Sequence, residues 1–224
     1  MDKYPLEFKQ QLKVLIDNPN FFKTYGYYTE PYPDKIVSKI AEEYKDKPFE
    51  IDKPIHEGFK KVDVDVRYLF TVKFMEDNRV VGGCSEVAFL TASIFRKMGY
   101  PAAIMDTLVV RSIFDDSEEE FPMEEHSVVL VNIDNKWWLY DATGVIKPTR
   151  FIISKIVKKG MLPGAIYRDP ADIKVFNRKD KYGNLLYNLK DILLLDLQKD
   201  IINPILYKRL IKRLEQISHD EQRR

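Results

Sequence analysis

Residues 84–98, which begin at Cys84 and end at Met98, carry the strongest periodicity in the chain. Val87, Ala88, Thr91, Ile94, Phe95 and Met98 recur at helical spacing, so one face of this helix is expected to be apolar. Arg96 and Lys97 fall in the last turn, where cations favour the helix dipole. Gly99 suits the left-handed residue just past a helix end, and Pro101 blocks continuation. Gly82 and Gly83 precede the helix, so Cys84 is expected to open it. The period changes after Pro101. A strand is expected over about 102–111, then an acidic loop from Phe114 to Glu125, then strands near 126–133 and 136–141. Asp134-Asn135 between the last two is good hairpin-turn chemistry. One helix followed by successive antiparallel strands is an α+β order rather than alternating βαβ.

The segments on either side are read more coarsely. Residues 6–17 form a short amphipathic helix with Leu6, Leu12, Leu15 and Ile16 on its apolar side, stopped by Asp17-Asn18-Pro19-Asn20. Tyr25 to Pro33 reads as a loop, and a second helix runs from about Asp34 to Tyr44 with Ile36, Val37 and Ile40 inward. Residues 55–75 fit helix or strand, with helix favoured in the later part. Past residue 145 the expectations are a hairpin of 173–176 with 185–187 and a charged helix over 204–217. The resulting organisation is one domain, 1–224: a helical region 1–55, a core over about 56–150 and an extension 151–224.

Composition narrows the function classes. With 36 Lys and Arg against 35 Asp and Glu, net charge gives no electrostatic case for nucleic acid or a membrane surface as the main partner. No stretch approaches the roughly 18 apolar residues of a membrane helix. Met1 to Pro5 lacks the basic-then-apolar pattern of a signal peptide. A single cysteine rules out an internal disulfide, and the default setting is reducing and cytoplasmic.

That cysteine is the first candidate for chemistry. Cysteine reacts as the thiolate, and a helix N-terminus and a nearby imidazolium both favour that form. Cys84 has the first by expectation. The glycines before it leave room for a substrate backbone and free main-chain N–H groups for an oxyanion. A lone cysteine is more often a buried structural thiol. Such a thiol usually sits mid-helix, whereas Cys84 sits at the mouth. His126, at the start of an apolar strand, is the natural base; His56 lies in a polar stretch and His219 near the C-terminus.

Asp141 supplies the third group. Singly, an Asp at a strand end is a turn or cap residue. The hairpin provides a geometric test. A two- or four-residue turn centred on Asp134-Asn135 pairs Val128 with Asp141 and His126 with Thr143. His126 and Asp141 then lie on one face as diagonal neighbours, roughly 7–8 Å apart at the backbone and within side-chain reach. A three-residue turn puts them on opposite faces.

These segments resemble a known family. Gly83-Cys84, followed by Ala88, Leu90, Ala92, Arg96, Gly99 and Pro101-Ala102, resembles the cysteine segment of the transglutaminase-like superfamily. His126-Ser127-Val128 and Trp138-Leu139-Tyr140-Asp141-Ala142-Thr143 resemble its histidine and aspartate segments. The spacings, 42 residues from Cys84 to His126 and 15 from His126 to Asp141, also suit it. The resemblance spans about residues 80–145. It implies a papain-like core, with a Cys-bearing helix packed on an antiparallel sheet that carries His and Asp, here flanked by helical N- and C-terminal extensions. It also implies a Cys84–His126–Asp141 triad acting on protein or peptide carbonyls without metal or cofactor.

Two departures stand out. The family often has an aromatic residue after the Cys, where this chain has Ser85-Glu86. The residue that helps the oxyanion hole is not fixed by the motifs; Tyr68 and Asn78 are the upstream candidates, beside Gly83. Members include protein cross-linking enzymes, cysteine proteases, peptide N-glycanases and inactive binding modules, so the fold alone does not set the reaction. A non-catalytic binding module and an arylamine N-acetyltransferase, whose Cys segment Cys84-Ser85-Glu86 faintly resembles, are the rival readings.

Other features are weaker. Asp115 to Glu120, with Glu124-Glu125, is a solvated acidic loop, or a means of raising the His126 pKa or attracting a lysine side chain. Tyr207, Lys208, Arg209, Lys212 and Arg213 form a basic helical face. Three scattered His and one Cys give no metal-ligand spacing, and no nucleotide-binding glycine motif occurs.

Overall fold

The computed structural model describes residues 6–31, 35–62, 69–110, 123–172, 178–179, 185–186 and 208. Its helices are α1 (Leu6–Asp17), α2 (Ile36–Glu43), α3 (Asp52–Gly58), α4 (Val72–Asn78), α5 (Cys84–Lys97) and α6 (Ile153–Lys158). Its strands are β1 (Lys60–Lys61), β2 (Val80–Val81), β3 (Ala102–Val110), β4 (Met123–Ile133), β5 (Lys136–Tyr140), β6 (Thr149–Arg150), β7 (Met161–Tyr167), β8 (Arg178–Lys179) and β9 (Leu185–Leu186). The fold is α+β, with five strands in the order β6-β5-β4-β3-β7, every pairing antiparallel.

Helix α5 starts at Cys84 and ends before Gly99, whose φ of 90° is the left-handed cap expected there. It packs on β3 and β4 and is covered in turn by α2 and α4. That placement buries every residue from Glu86 to Arg96, so α5 is a central helix rather than a one-faced surface helix. Strand alternation divides the core into two. Ala102 and Ile104 of β3, with Val129 and Val131 of β4, join α5 and the inward Ile36, Val37 and Ile40 of α2. Ala103, Met105, Val128 and Leu130 face the other way, onto Phe8, Leu12 and Leu15 of α1 and Ile156 of α6.

Helix α1 has the expected limits, but its buried face differs from the expected one. Ile16 is 63% exposed, and Phe8 takes a core position instead. On a helical wheel Phe8, Leu12 and Leu15 are spaced by four and three, whereas Ile16 falls beside that stripe. Gln11 of the same helix accepts the Ile166 N–H at 2.8 Å, which occupies a backbone donor of edge strand β7.

Arg96 lies in the last turn of α5, as expected, and is buried there. It is 4% exposed and does not face solvent at the helix end. Its Nε donates to Phe22 O at 2.9 Å and Ala102 O at 3.0 Å, and its Nη2 to Ala102 O at 2.6 Å and Arg168 O at 2.7 Å. Burial lowers its pKa to about 10 against the pull of Asp169. Asp169 in turn accepts Tyr28 N–H at 2.9 Å and Thr29 N–H at 3.1 Å. Tyr28 and Thr29 are therefore pinned to the end of β7. Gly26 is required there, because a Cβ would sit 2.2 Å from Asp169 Oδ2.

The β4–β5 hairpin has a two-residue turn, closed by Ile133↔Lys136. Asp134 and Asn135 both take positive φ, 53° and 57°, as a type I′ turn requires. Residues 55–75 hold both kinds of structure: the end of α3, β1, and the start of α4. Strand β9 pairs with β8; residues 173–176 and 187 of the expected hairpin lie outside the described residues, as do 114–122 of the acidic loop and all of 204–217 except Lys208, while Met123 to Glu125 belong to β4. No helix among the described residues is long and apolar enough to cross a membrane.

Candidate active site

Cys84 occupies the first turn of α5. Gly83 is the N-cap; its N–H donates to Glu86 Oε2 at 3.1 Å, the half of a capping box that needs no N-cap side chain, and its carbonyl accepts Val87 N–H at 3.1 Å. The other carboxylate oxygen of Glu86 accepts Phe70 N–H at 3.4 Å. Burial raises the Glu86 pKa, and these backbone donors offset part of that. Glu86 thus ties the chain before α4 to the mouth of α5. The Cys84 and Ser85 N–H groups stand at positions that lack an intrahelical acceptor.

The hairpin register carries His126 and Asp141 to one another. The ladder ends at the pair Val129↔Tyr140, and its register carried past that pair would set Val128 against Asp141 and His126 against Thr143. His126 Nε2 lies 3.0 Å from Asp141 Oδ2, with the two side chains 10% and 1% exposed. Thr143 holds the pair: its Oγ donates to Asp141 Oδ1 at 2.7 Å, its N–H to the same oxygen at 2.9 Å, and Oγ lies 3.5 Å from His126 Nε2. Ile146 N–H supplies Asp141 Oδ2 with a second donor at 3.0 Å. Asp141 engages Nε2 of the ring, and the Cys84 side chain at the mouth of α5 also acts electrostatically on His126.

The electrostatics follow from these contacts. Burial alone would lower the His126 pKa. Hydrogen bonds with Asp141 and Cys84, and their negative charges, outweigh it and raise the value to about 10. For Asp141, burial pushes upward, but His126 and Thr143 more than reverse it and hold the carboxyl below its ordinary value.

Cys84, His126, Asp141 and Gly83 therefore come together. Asn78 ends α4, exposed, and donates to Phe74 O of its own helix at 2.8 Å. Tyr68 lies outside the described residues. Sequence reasoning missed the roles of Glu86 and Thr143. The Glu three residues past Gly83 is a capping-box signal that was open to reading. Among the described residues no group of His, Cys, Asp and Glu is arranged to hold a metal ion.

No family model matches the chain, and no curated protein matches it. Among solved structures it is similar to a putative cysteine protease from Cytophaga hutchinsonii, at a TM-score of 0.50 and 19% identity. The match covers 70% of this chain and 50% of that one, so the chain spans about half the neighbour's length. Identity at that level speaks to the fold, an α+β arrangement consistent with a papain-like core.

Proposed function

We propose that the chain is a thiol acyl-transfer enzyme that cleaves peptide or carboxamide bonds, with Cys84 as nucleophile, His126 as acid and base, and Asp141 orienting His126. The observation that carries this reading is the buried His126–Asp141 pair, 3.0 Å between Nε2 and Oδ2, with the Cys84 side chain at the N-terminus of α5 acting on the same imidazole. The Cys84 sulfur attacks the carbonyl carbon, and the C=O electron pair moves to oxygen. The first N–H groups of α5, which have no intrahelical acceptor, are the candidate donors to that oxyanion. The intermediate collapses with loss of the amine, which takes its proton from His126, and a thioester remains. His126 then takes a proton from water, whose oxygen attacks the thioester; the carboxylic acid leaves and the thiol is restored. Hydrolysis is the preferred outcome over amine transfer because water needs no binding site of its own, and the sequence marks no dedicated amine site.

The test is the rate of Cys84 alkylation by iodoacetamide across pH, in the wild type and in His126→Ala. Fast alkylation near neutral pH that is lost in His126→Ala is the expected result. Equal rates in the two proteins would remove the activated pair and with it the enzyme reading. A peptide-amide library, followed by mass spectrometry for a thioester on Cys84 and absent from Cys84→Ser, then identifies the substrate class.

A further inference from the structure

A second polar cluster lies directly beside the first and takes no part in the chemistry above. Ser85, next to Cys84, has its Oγ 3.0 Å from Oγ of Ser127, which is next to His126. Ser127 donates its proton to Asp106 Oδ1 at 2.7 Å, and Tyr167 donates to the same oxygen at 3.2 Å. Asp106, Ser127 and Tyr167 are all buried, at 2%, 2% and 3% exposure. Since Ser127 has one hydroxyl proton and spends it on Asp106, the donor in the serine pair is Ser85. Asp106, an acceptor at its Oδ1, sets the direction of the whole chain.

Burying a carboxyl group here is costly, and only one of its oxygens is used. Asp106 Oδ2 is buried with no partner among the described residues. Burial raises the Asp106 pKa to about 6, against the two hydroxyl donors. The backbone is also irregular at this point. Met105 pairs with Ile166 and Thr107 with Pro163, so two residues of β7, Gly164 and Ala165, lie opposite Asp106 alone. Such bulges re-aim side chains and gather beside functional sites. Strands β3, β4 and β7 and helix α5 all contribute to this one spot.

We propose that Asp106 is a positioning residue: through Ser127 and Ser85 it locks the first turn of α5 onto β4, and so holds the Cys84 sulfur at the His126 ring. This rests on the thiol-nucleophile reading and extends it. Two links join the same two elements, Cys84 to His126 and Ser85 to Ser127. The first must remain mobile enough to react, and the second is closed and part-buried, with Ser127 itself buried. An apolar residue at 106 would pack against the same neighbours but leave the serine pair without its terminal acceptor.

The experiment measures the iodoacetamide alkylation rate of Cys84 at neutral pH, alongside thermal melting, in the full chain. Asp106→Ala and Ser127→Ala should each slow alkylation by about tenfold or more, as expected for a small displacement of reacting groups. Asp106→Asn keeps an acceptor oxygen and should restore most of the rate. The double variant Asp106→Ala/Ser127→Ala should be no slower than either single variant, because both cut one chain. Should Asp106→Ala fail to fold, Ser127→Ala and Ser85→Ala decide the matter. Folded serine variants with wild-type rates, beside a slow His126→Ala, overturn this inference and leave the nucleophile reading intact. A wild-type rate in His126→Ala overturns both.

Discussion

Asp141 Oδ2 sits 3.0 Å from His126 Nε2 because the two-residue turn at Asp134-Asn135 sets the register of β4 against β5. The two residues are diagonal neighbours on one face of that hairpin. Everything the pair does electrostatically depends on that parity.

Register is therefore open to a direct test. Inserting one glycine between Asp134 and Asn135 makes a three-residue loop and moves Asp141 to the opposite face if β5 shifts by one. The expected outcome is a hairpin that still forms and an alkylation rate at Cys84 that falls to that of Asp141→Asn. Wild-type reactivity in the insertion variant would show that the ladder absorbs the extra residue elsewhere.

Thr143 contributes through its hydroxyl. Thr143→Val keeps the shape and removes the 2.7 Å bond to Asp141 Oδ1. A hydrogen bond to a charged group contributes about 1.5–3 kcal/mol, so a loss near the lower end is expected at this half-buried site. Urea denaturation measures it. Alkylation should slow as well, since the Asp141 carboxylate is then free to turn away from the imidazole.

The pair also predicts how stability varies with pH. His126 has its folded pKa raised to about 10 from an ordinary value of 6.5, so its contribution is complete below 6.5 and is lost as pH rises through 10. Asp141 is shifted the other way, so its contribution is present above the ordinary carboxylate value of 3.8 and is lost as pH falls through its depressed folded value. The stability gap between wild type and Asp141→Asn should be widest between about pH 4 and 6.5 and narrow towards pH 10. Denaturation curves at several pH values give the gap directly; a gap that widens above pH 8 contradicts the assignment.

Arg96 is expected to tolerate little. Arg96→Lys replaces a planar fork by a single ammonium that cannot reach the Phe22, Ala102 and Arg168 carbonyls together. Leaving buried carbonyls unpaired costs about 1–3 kcal/mol each, so a loss of about 3 kcal/mol or more is expected from thermal or chemical unfolding. Gly26→Ala should act on the same contact from the other side, by pushing on Asp169.

Much of the core was legible because it is local. The start of α5 at Cys84, its stop at Gly99, the strand β3 and the turn at Asp134-Asn135 are written in period, capping and dihedral preference. The inward residues Ile36, Val37 and Ile40 were equally plain from spacing alone. Ile16 was misjudged because it lies at the margin of its stripe, and only the neighbouring elements decide where a stripe ends. The contacts of Arg96 were not legible for a related reason. Position in the last turn says that a cation is favourable there, but not that three separate carbonyls converge on it.

By itself, the sequence determined the order of elements, the pairing of His126 with the Asp141 face, and the location of a thiol at a helix mouth. Only the tertiary structure decided that Cys84 reaches His126, that Glu86 anchors the chain before α4, and that Asp106, Ser127, Ser85 and Tyr167 meet. The physical reason is range. Dihedral preference and hydrophobic period act over a few residues. Ser85 and Ser127 stand 42 positions apart, and Asp106 and Tyr167 stand 61 apart. Contacts of that separation exist only once α5 has been buried against the sheet and β7 has closed its edge.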